Sequence, residues 1–337
     1  GNGFTIDAKG MANIARITAG NVQIVNATFI NSYSSHNAAI EIYAGNVLIY
    51  STFINNTLSS RSKAGAAVKI GSSNNVVIYS TFIKNSNLLG SGGAIFIDQS
   101  NNVVIDSIFV NNTAILGGAI YSEWSDVSIS GVFANNSAKN GAAIFIHARS
   151  DKLNRIYKSL FISNRGIDSV INVAGNPKFH AADVHYSIFL DNNCLYDIAS
   201  GNKDIVYADY NWFGNTNENY NVKPNVASSV NLNRWLFLDA NANSTFLEID
   251  ESAVINLSLN KAYDPIAKKV YNVETNLPAV SFDVSSVNNA VVLNKLELVD
   301  GKGNVSYVPV DLVAGSVDFK YYSFNKTVTF DVGVPGD

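Results

Sequence analysis

What is scarce in this 337-residue chain limits what it can be. One cysteine, Cys194, rules out a disulfide within the chain, and its neighbourhood beside Leu195 reads as a small packing residue. Four histidines are too few and too scattered for a recognisable metal motif: His36 and His180 have no partners at ligand spacing, and His185 shares parity with Phe189, which assigns it to the core. Charged residues make up 15% of the chain and carry a net charge of −4 without blocks of one sign, so the electrostatic footprint of a nucleic-acid binder is missing. No apolar run reaches the 18 residues that a membrane-spanning helix needs, so no membrane insertion is expected of this stretch. No segment between residues 10 and 215 sustains a 3.6-residue period, and the abundant Asn, Gly, Ser and β-branched residues are poor helix formers.

What the chain does have is a repeat. An aromatic residue stands three positions ahead of an asparagine in Phe53/Asn56, Phe82/Asn85, Phe109/Asn112, Phe133/Asn136, Phe161/Asn164 and Phe189/Asn192. Phe29/Ser32 is a weaker instance and Trp212/Asn215 a drifted one. Successive aromatics are 23 to 29 residues apart, the period of a solenoid unit. Each unit also carries a polar turn residue ahead of alternating apolar positions (Asn46-Val47-Leu48-Ile49, Asn75-Val76-Val77-Ile78, Asn102-Val103-Val104-Ile105). Upstream of these lies a small-residue run ending in a β-branched residue, such as Ala66-Ala67-Val68 or Gly93-Ala94-Ile95. Val76, Ile78, Ser80 and Phe82 share one face. The third slot is always small (Ser51, Ser80, Ser107, Gly131), marking where the strand bends and the interior narrows. Three short strands per unit at constant phase predict a parallel β-helix of about eight coils, with the asparagines bonding from coil to coil at the turns.

After Asn211-Trp212-Phe213-Gly214 the repeat ends. Residues 215–233 read as a cap and linker rich in Asn, Pro and Ser. From 234 to 337, alternating segments such as Trp235–Leu238, Phe246–Ile249, Ala253–Leu259, Val280–Val284, Val291–Leu293, Tyr307–Val310, Val317–Tyr321 and Lys326–Val332 predict a β-sandwich of immunoglobulin type. Eight Asn-x-Ser/Thr sequons, at Asn26, Asn55, Asn111, Asn135, Asn243, Asn256, Asn304 and Asn325, lean towards a glycosylated surface protein.

Function has to be sought where the coils differ. The outward position after each small run reads Arg16, Glu41, Lys69, Phe96, Tyr121, Phe145, Asn172, Ala199: a ladder of alternating charge followed by an aromatic column. Two residues on, Asp98, Glu123 and His147 form a parallel ridge. The aromatic and polar ridges together make a candidate glycan-binding face, since rings pack on sugar C–H faces and carboxylates accept hydroxyl hydrogen bonds. The competing structural reading is that the stacked rings stabilise the solenoid beneath a covering loop or partner chain. Asp98 and Glu123, one coil apart, also resemble the carboxylate pair of a glycosidase. No Lys or Arg joins that column and no further carboxylate flanks it, so a lyase-type calcium and base site lacks its parts. Arg149, Lys152, Arg155 and Lys158 read as a solvated insertion. The apolar outward positions Val77, Tyr79, Ile83, Val104, Ile108 and Val110 suggest a lateral contact surface.

Gly92-Gly93-Ala94-Ile95, Phe109-Val110-Asn111-Asn112 and Gly117-Gly118-Ala119-Ile120 resemble the repeats of chlamydial polymorphic outer-membrane proteins. The whole layout, with its closing Asn211-Trp212-Phe213-Gly214, is similar to the adhesin-like surface proteins of methanogenic archaea. That resemblance implies an all-β fold: a right-handed, pectate-lyase-like parallel β-helix (1–214), then an Ig-like β-sandwich. It also implies a non-enzymatic, extracellular role, as part of a larger secreted or envelope-anchored protein that attaches to other cells, host material, or a glycan or protein receptor. It brings no cofactor, no metal and no catalytic residue to transfer. The coils at Ser169-Val170-Ile171 and Tyr196-Asp197-Ile198 depart from the Gly-Ala pattern. Two rival expectations remain: a carbohydrate-active enzyme using Asp98 and Glu123, and a passive stalk.

Overall fold

A computed structural model describes residues 3–334 apart from 12, 60, 62, 150, 176–179, 204, 215–222, 275 and 292–293. All regular structure among these residues is β. The chain forms two compact units, one of residues 1–209 with 225–232, the other of 210–224 with 233–337.

The first unit is a β-solenoid of about eight turns, with three strand columns per coil. The first column contains Ala15–Ile17, Ile40–Ile42, Val68–Gly71, Ile95–Asp98, Ile120–Glu123, Ile144–Ala148, Ser169–Gly175 and Tyr196–Ser200, each paired in parallel with the next. The second column holds the longer, bent strands such as Val47–Ile54, Asn101–Val110 and Val127–Ala134, and the third holds short pieces such as Thr57–Leu58 and Thr113–Leu116. Register is kept from coil to coil apart from local shifts, such as those between Val25 and Thr28 and between Ile129 and Gly131, so the interior marks recur above themselves: Phe82 pairs with Phe53 on one side and Phe109 on the other.

That register stacks the interior. Phe29, Phe53, Phe82, Phe109, Phe133, Phe161 and Phe189 form one continuous stack with ring centroids 4.8–5.1 Å apart and interplanar angles of 5–19°. Isolated aromatic pairs prefer offset or edge-to-face contact. Here the coil spacing imposes the geometry, since parallel strands sit about 4.8 Å apart and each ring must follow its backbone.

The asparagine three residues later fixes the turn. Asn112 is fully buried and leaves none of its amide bonds unmade. Its Nδ2 donates to Phe82 O and to Asn136 Oδ1, both at 3.0 Å. Its Oδ1 accepts from Asn85 N at 2.9 Å and Asn85 Nδ2 at 3.0 Å. The same pattern runs through Asn56, Asn85, Asn136 and Asn164, and the ladder ends at Asn192, whose Nδ2 donates to Phe161 O and to Asp197 Oδ1. The residue before it takes a left-handed conformation, as at Asn55, Asn111 and Asn135 (φ 54–58°), and asparagine tolerates this region better than other side chains with a Cβ. A second, exposed amide ladder links Asn21, Asn46, Asn75 and Asn102.

Small residues are required at the tight corner ahead of the first strand column and where neighbouring coils approach. Gly117 has φ +62° and a Cβ there would meet Ile120 O at 2.2 Å; a Cβ on Gly118 would meet Ala142 O at 2.1 Å. The bend slot behaves likewise: Ser80 N donates to Ser107 Oγ (2.9 Å), Ser107 Oγ donates to Ile78 O (3.1 Å), and Gly131 follows with φ +126°.

The second unit contains two mainly antiparallel sheets. One combines Trp235–Ala242, Ala253–Asp264, Lys269–Asn272 and Lys302–Tyr307; the other combines Phe246–Glu248, Phe324–Gly333, Gly315–Tyr321, Val280–Val287 and Lys295–Leu298. Tyr307 of the first stacks on Phe330 of the second at 4.0 Å. Trp212, the drifted repeat mark, is fully buried here, 5.3 Å from Phe324 and 6.4 Å from Phe282. It has become a core residue of this unit, while Asn215 lies outside the described residues. Three strands differ from expectation: Lys269–Asn272 and Lys295–Leu298, each only four residues long, were not expected, and Lys302–Tyr307 lies ahead of the expected Tyr307–Val310. The expected strand Val291–Leu293 falls partly outside the described residues.

Asn112→Ala should therefore lower unfolding free energy by about 2–4 kcal/mol, since it strands buried partners on both adjacent coils. Asn111→Ala, which loses only a local conformational preference, should cost about 1 kcal/mol. Urea titration followed by circular dichroism measures both.

Candidate functional site

The first strand column aligns Arg16, Glu41, Lys69, Phe96, Tyr121, Phe145, Asn172 and Ala199 in one continuous register. Asp98, Glu123 and His147 line up two residues on. The rings stack closely: Phe96 to Tyr121 at 5.0 Å and 16°, Tyr121 to Phe145 at 5.2 Å and 3°. This face points away from the coil interior, yet it is not open. Phe96, Tyr121 and Phe145 are 2%, 8% and 7% exposed, with Leu116 and Ala174 packed against them. The column forms a covered secondary core rather than an open ridge.

Beside the rings, Lys63, in the segment leading into the strand Val68–Gly71, reaches the neighbouring polar column. Its Nζ lies 2.6 Å from Glu123 Oε2, two coils along the solenoid, and 5.4 Å from the Trp124 ring. Glu123 Oε1 is 3.5 Å from His147 Nδ1, so the buried carboxylate lies between two cationic partners whenever the imidazole is protonated. The hydrogen bond to Glu123 raises the Lys63 pKa against the opposing effect of burial. Burial, then the charges of Glu123 and Asp98, push the Tyr121 hydroxyl up to about 12. Asp98 Oδ1 and Ser122 Oγ are buried without a hydrogen-bond partner. Glu123 is thus held in an ion pair.

The charged ladder further down is a local clamp. Arg16 Nε lies 3.4 Å from Glu41 Oε2, and Arg16 and Lys69 sit 4.7 and 5.6 Å from the Tyr43 ring centre. The basic insertion is tied down as well: Arg149 and Lys152 pair with Asp151, Arg155 with Asp126, and Lys152 Nζ donates to Asn101 Oδ1. Cys194 is half-buried and free, its thiol pushed up to about 12 by burial.

Two features escaped the sequence reading. His180 Nε2 lies 2.8 Å and His185 Nε2 3.5 Å from the same oxygen, Asp183 Oδ1, while His185 Nδ1 meets Asp209 O at 2.8 Å. His185 is therefore not a core residue: a break between the strands Ala182–His185 and Ile188–Leu190 leaves it partly exposed, despite its parity with Phe189. Burial pulls its pKa down, but the bonds to Asp183 and Asp209 outweigh this and the net shift is upward. Asp183 is raised by burial and lowered more by the two histidines, with a net downward shift.

The other is an open groove of about 620 Å³ along the bend of the second strand column. Its floor is the small slot, Ser51, Ser80, Ser107 and Gly131; Tyr50, Tyr79 and Asp106 form one wall, and Thr28, Thr52, Thr81, Ile108 and Val132 the other. The bend slot was legible in the sequence, and Tyr79 and Ile108 stood out as apolar outward positions. Their reading as a flat lateral contact missed the concavity that the bend creates.

A family model of the Chlamydia polymorphic membrane protein repeat matches residues 106–123. That stretch spans Phe109, the Asn111–Asn112 turn and Gly117-Gly118-Ala119-Ile120, the parts that build one coil. No curated protein and no solved structure matches the chain.

Phe96→Ala should cost about 3–5 kcal/mol of stability in urea titration, as for a large core residue; an open binding ridge would tolerate the change with little loss. The His185–Asp183 contact should contribute fully only between the two unshifted values, 3.8 and 6.5. The aspartate part is lost as pH falls through its lowered pKa, and the histidine part as pH rises through its raised one. His185→Gln should flatten the decline above pH 6.5, and Asp183→Asn the decline at acid pH, in urea midpoints measured against pH.

Proposed function

We propose that this chain is part of a cell-surface adhesin: a right-handed β-helix whose side attaches to other cells, host material or a glycan or protein receptor, followed by an Ig-like module that acts as a spacer. The observation that carries this reading is the repeat itself, a coil matched by the Chlamydia polymorphic membrane protein repeat within a solenoid whose open side is a long, uncharged-to-acidic groove. A solenoid of this kind offers a rigid lateral surface that lengthens with each coil at no cost to the fold, which suits attachment. The Ig-like assignment draws on the two antiparallel sheets and on Phe246–Glu248 running parallel to the last strand. Extracellular placement draws on the repeat match and on the exposed sequon asparagines Asn26, Asn55, Asn111 and Asn135.

The enzyme reading, through Asp98 and Glu123, is opposed by the burial of Glu123 and its pairing with Lys63. A general acid or nucleophile must reach its substrate, and a carboxylate held in an ion pair is poorly placed to accept or deliver a proton.

Fluorescent beads coated with the purified chain should bind microbial or epithelial cells, and reducing-end assays on the major polysaccharides should show no turnover. Turnover abolished by Asp98→Asn would sink the non-enzymatic reading; beads that bind no cell type would leave the passive stalk.

A further inference from the structure

We propose that the groove along the second strand column is the contact site, and that its ligand is an extended, neutral polysaccharide chain lying parallel to the solenoid axis. The proposal rests on the attachment reading in one respect, that the side of the solenoid is where contact is made. It moves that contact from the covered Phe96/Tyr121/Phe145 column to a different face.

The wall of the groove differs from every other ring array in the solenoid. Tyr50 and Tyr79 occupy neighbouring coils in register, with Tyr79 N bonded to Ile49 O at 2.9 Å, and they are 57% and 42% exposed. The interior phenylalanines and the covered column stack ring upon ring; Tyr50 and Tyr79 make no ring contact among the described residues, so their faces stay free for a ligand. Val25 continues the row below Tyr50, and Asp106 continues it beyond Tyr79. The opposite wall is a row of hydroxyls, Thr28, Thr52 and Thr81, giving way to Ile108 and Val132.

Three properties of this lining select the ligand. First, the strand backbone is already bonded to the coils above and below, so an extended peptide has no free sheet edge to join and recognition must come from side chains. Second, the side chains are aromatic faces opposed by hydroxyls, suited to a molecule with alternating C–H faces and hydroxyl edges, which is the surface of a pyranose. Third, Asp106 is the one charged residue among the described residues of the lining, so a polyanionic chain would meet repulsion while a neutral one would gain an acceptor for its hydroxyls. The repeat also matches: five coils contribute lining residues at steps of about 4.8 Å, so the groove is about 20 Å long and offers equivalent positions at close to the spacing of successive sugars in an extended chain.

The test is isothermal titration of the full chain with cellohexaose, mannohexaose, chitohexaose and, as the acidic arm, hexagalacturonate. At least one neutral hexasaccharide should bind with Kd below about 1 mM, more tightly than its disaccharide. Tyr50→Ala and Tyr79→Ala together should weaken it at least about tenfold, with the melting temperature unchanged because both rings are exposed. Ile167→Ser, on an exposed residue outside the groove, should leave affinity unaltered. Absence of binding by all three neutral hexasaccharides, tighter binding of hexagalacturonate, or affinity unchanged in the double tyrosine variant overturns the proposal. Bead adhesion separates this from the attachment reading. Cells held equally by the double variant leave attachment standing and remove the groove; saccharide binding without cell adhesion leaves the groove standing and removes attachment.

Discussion

The first unit depends on a buried amide that bonds in both directions along the axis. A β-coil hides its apolar face only by stacking on another coil, and a turn between strands leaves backbone groups that water cannot reach once the coils close. The asparagine after each phenylalanine meets both demands. Its amide caps the backbone carbonyl of the coil on one side and joins the amide of the coil on the other, as Asn112 does between Phe82 O and Asn136 Oδ1. Alanine would leave a void and those groups unpaired, and aspartate along the ladder would bring buried charges to within bonding distance of each other. The phenylalanine stack follows from this, because once the turns are locked in register the rings have only one place to go.

The same constraint explains why the fold is legible and the site is not. Register is set by residues that recur, so Phe53, Asn56, Ser51 and the Gly-Ala runs announce it in a single sequence. The columns running from Arg16 to Ala199 and from Asp98 to His147 followed from that register alone, and the structure aligns them residue for residue. Exposure is another matter. Whether Phe96 faces water depends on neighbours such as Leu116 that pack over the column, and a lysine that reaches a glutamate two coils away leaves no periodic trace. The His180–Asp183–His185 cluster was hidden for a related reason: parity assigns His185 inward only if the strand is unbroken, and the strand breaks after it.

The drifted end of the repeat makes the converse point. Trp212 keeps the spacing of the phenylalanine series, and its ring packs on Phe282 and Phe324. Spacing alone cannot distinguish a ring that continues a stack from one that begins a different core. What changes is the surrounding chemistry: the strand ahead of Trp212 shrinks to Val206–Tyr207, and Tyr196-Asp197-Ile198 stands where the Gly-Ala run precedes Phe109 or Phe133.

The groove arises from the interior in the same way. A strand that carries a large apolar residue at every inward slot runs straight and presents a flat outer face. Placing Ser51, Ser80, Ser107 and Gly131 at one slot lets the backbone fold inward there, and the outer face becomes concave over the same coils. The hydroxyls that permit the bend also satisfy it, since Ser80 and Ser107 bond the backbone of the adjacent coils. The outward neighbours of that slot are then free to vary without disturbing the packing. Tyr50, Tyr79, Asp106 and the threonines occupy the positions where this solenoid can change what it touches while keeping what holds it together.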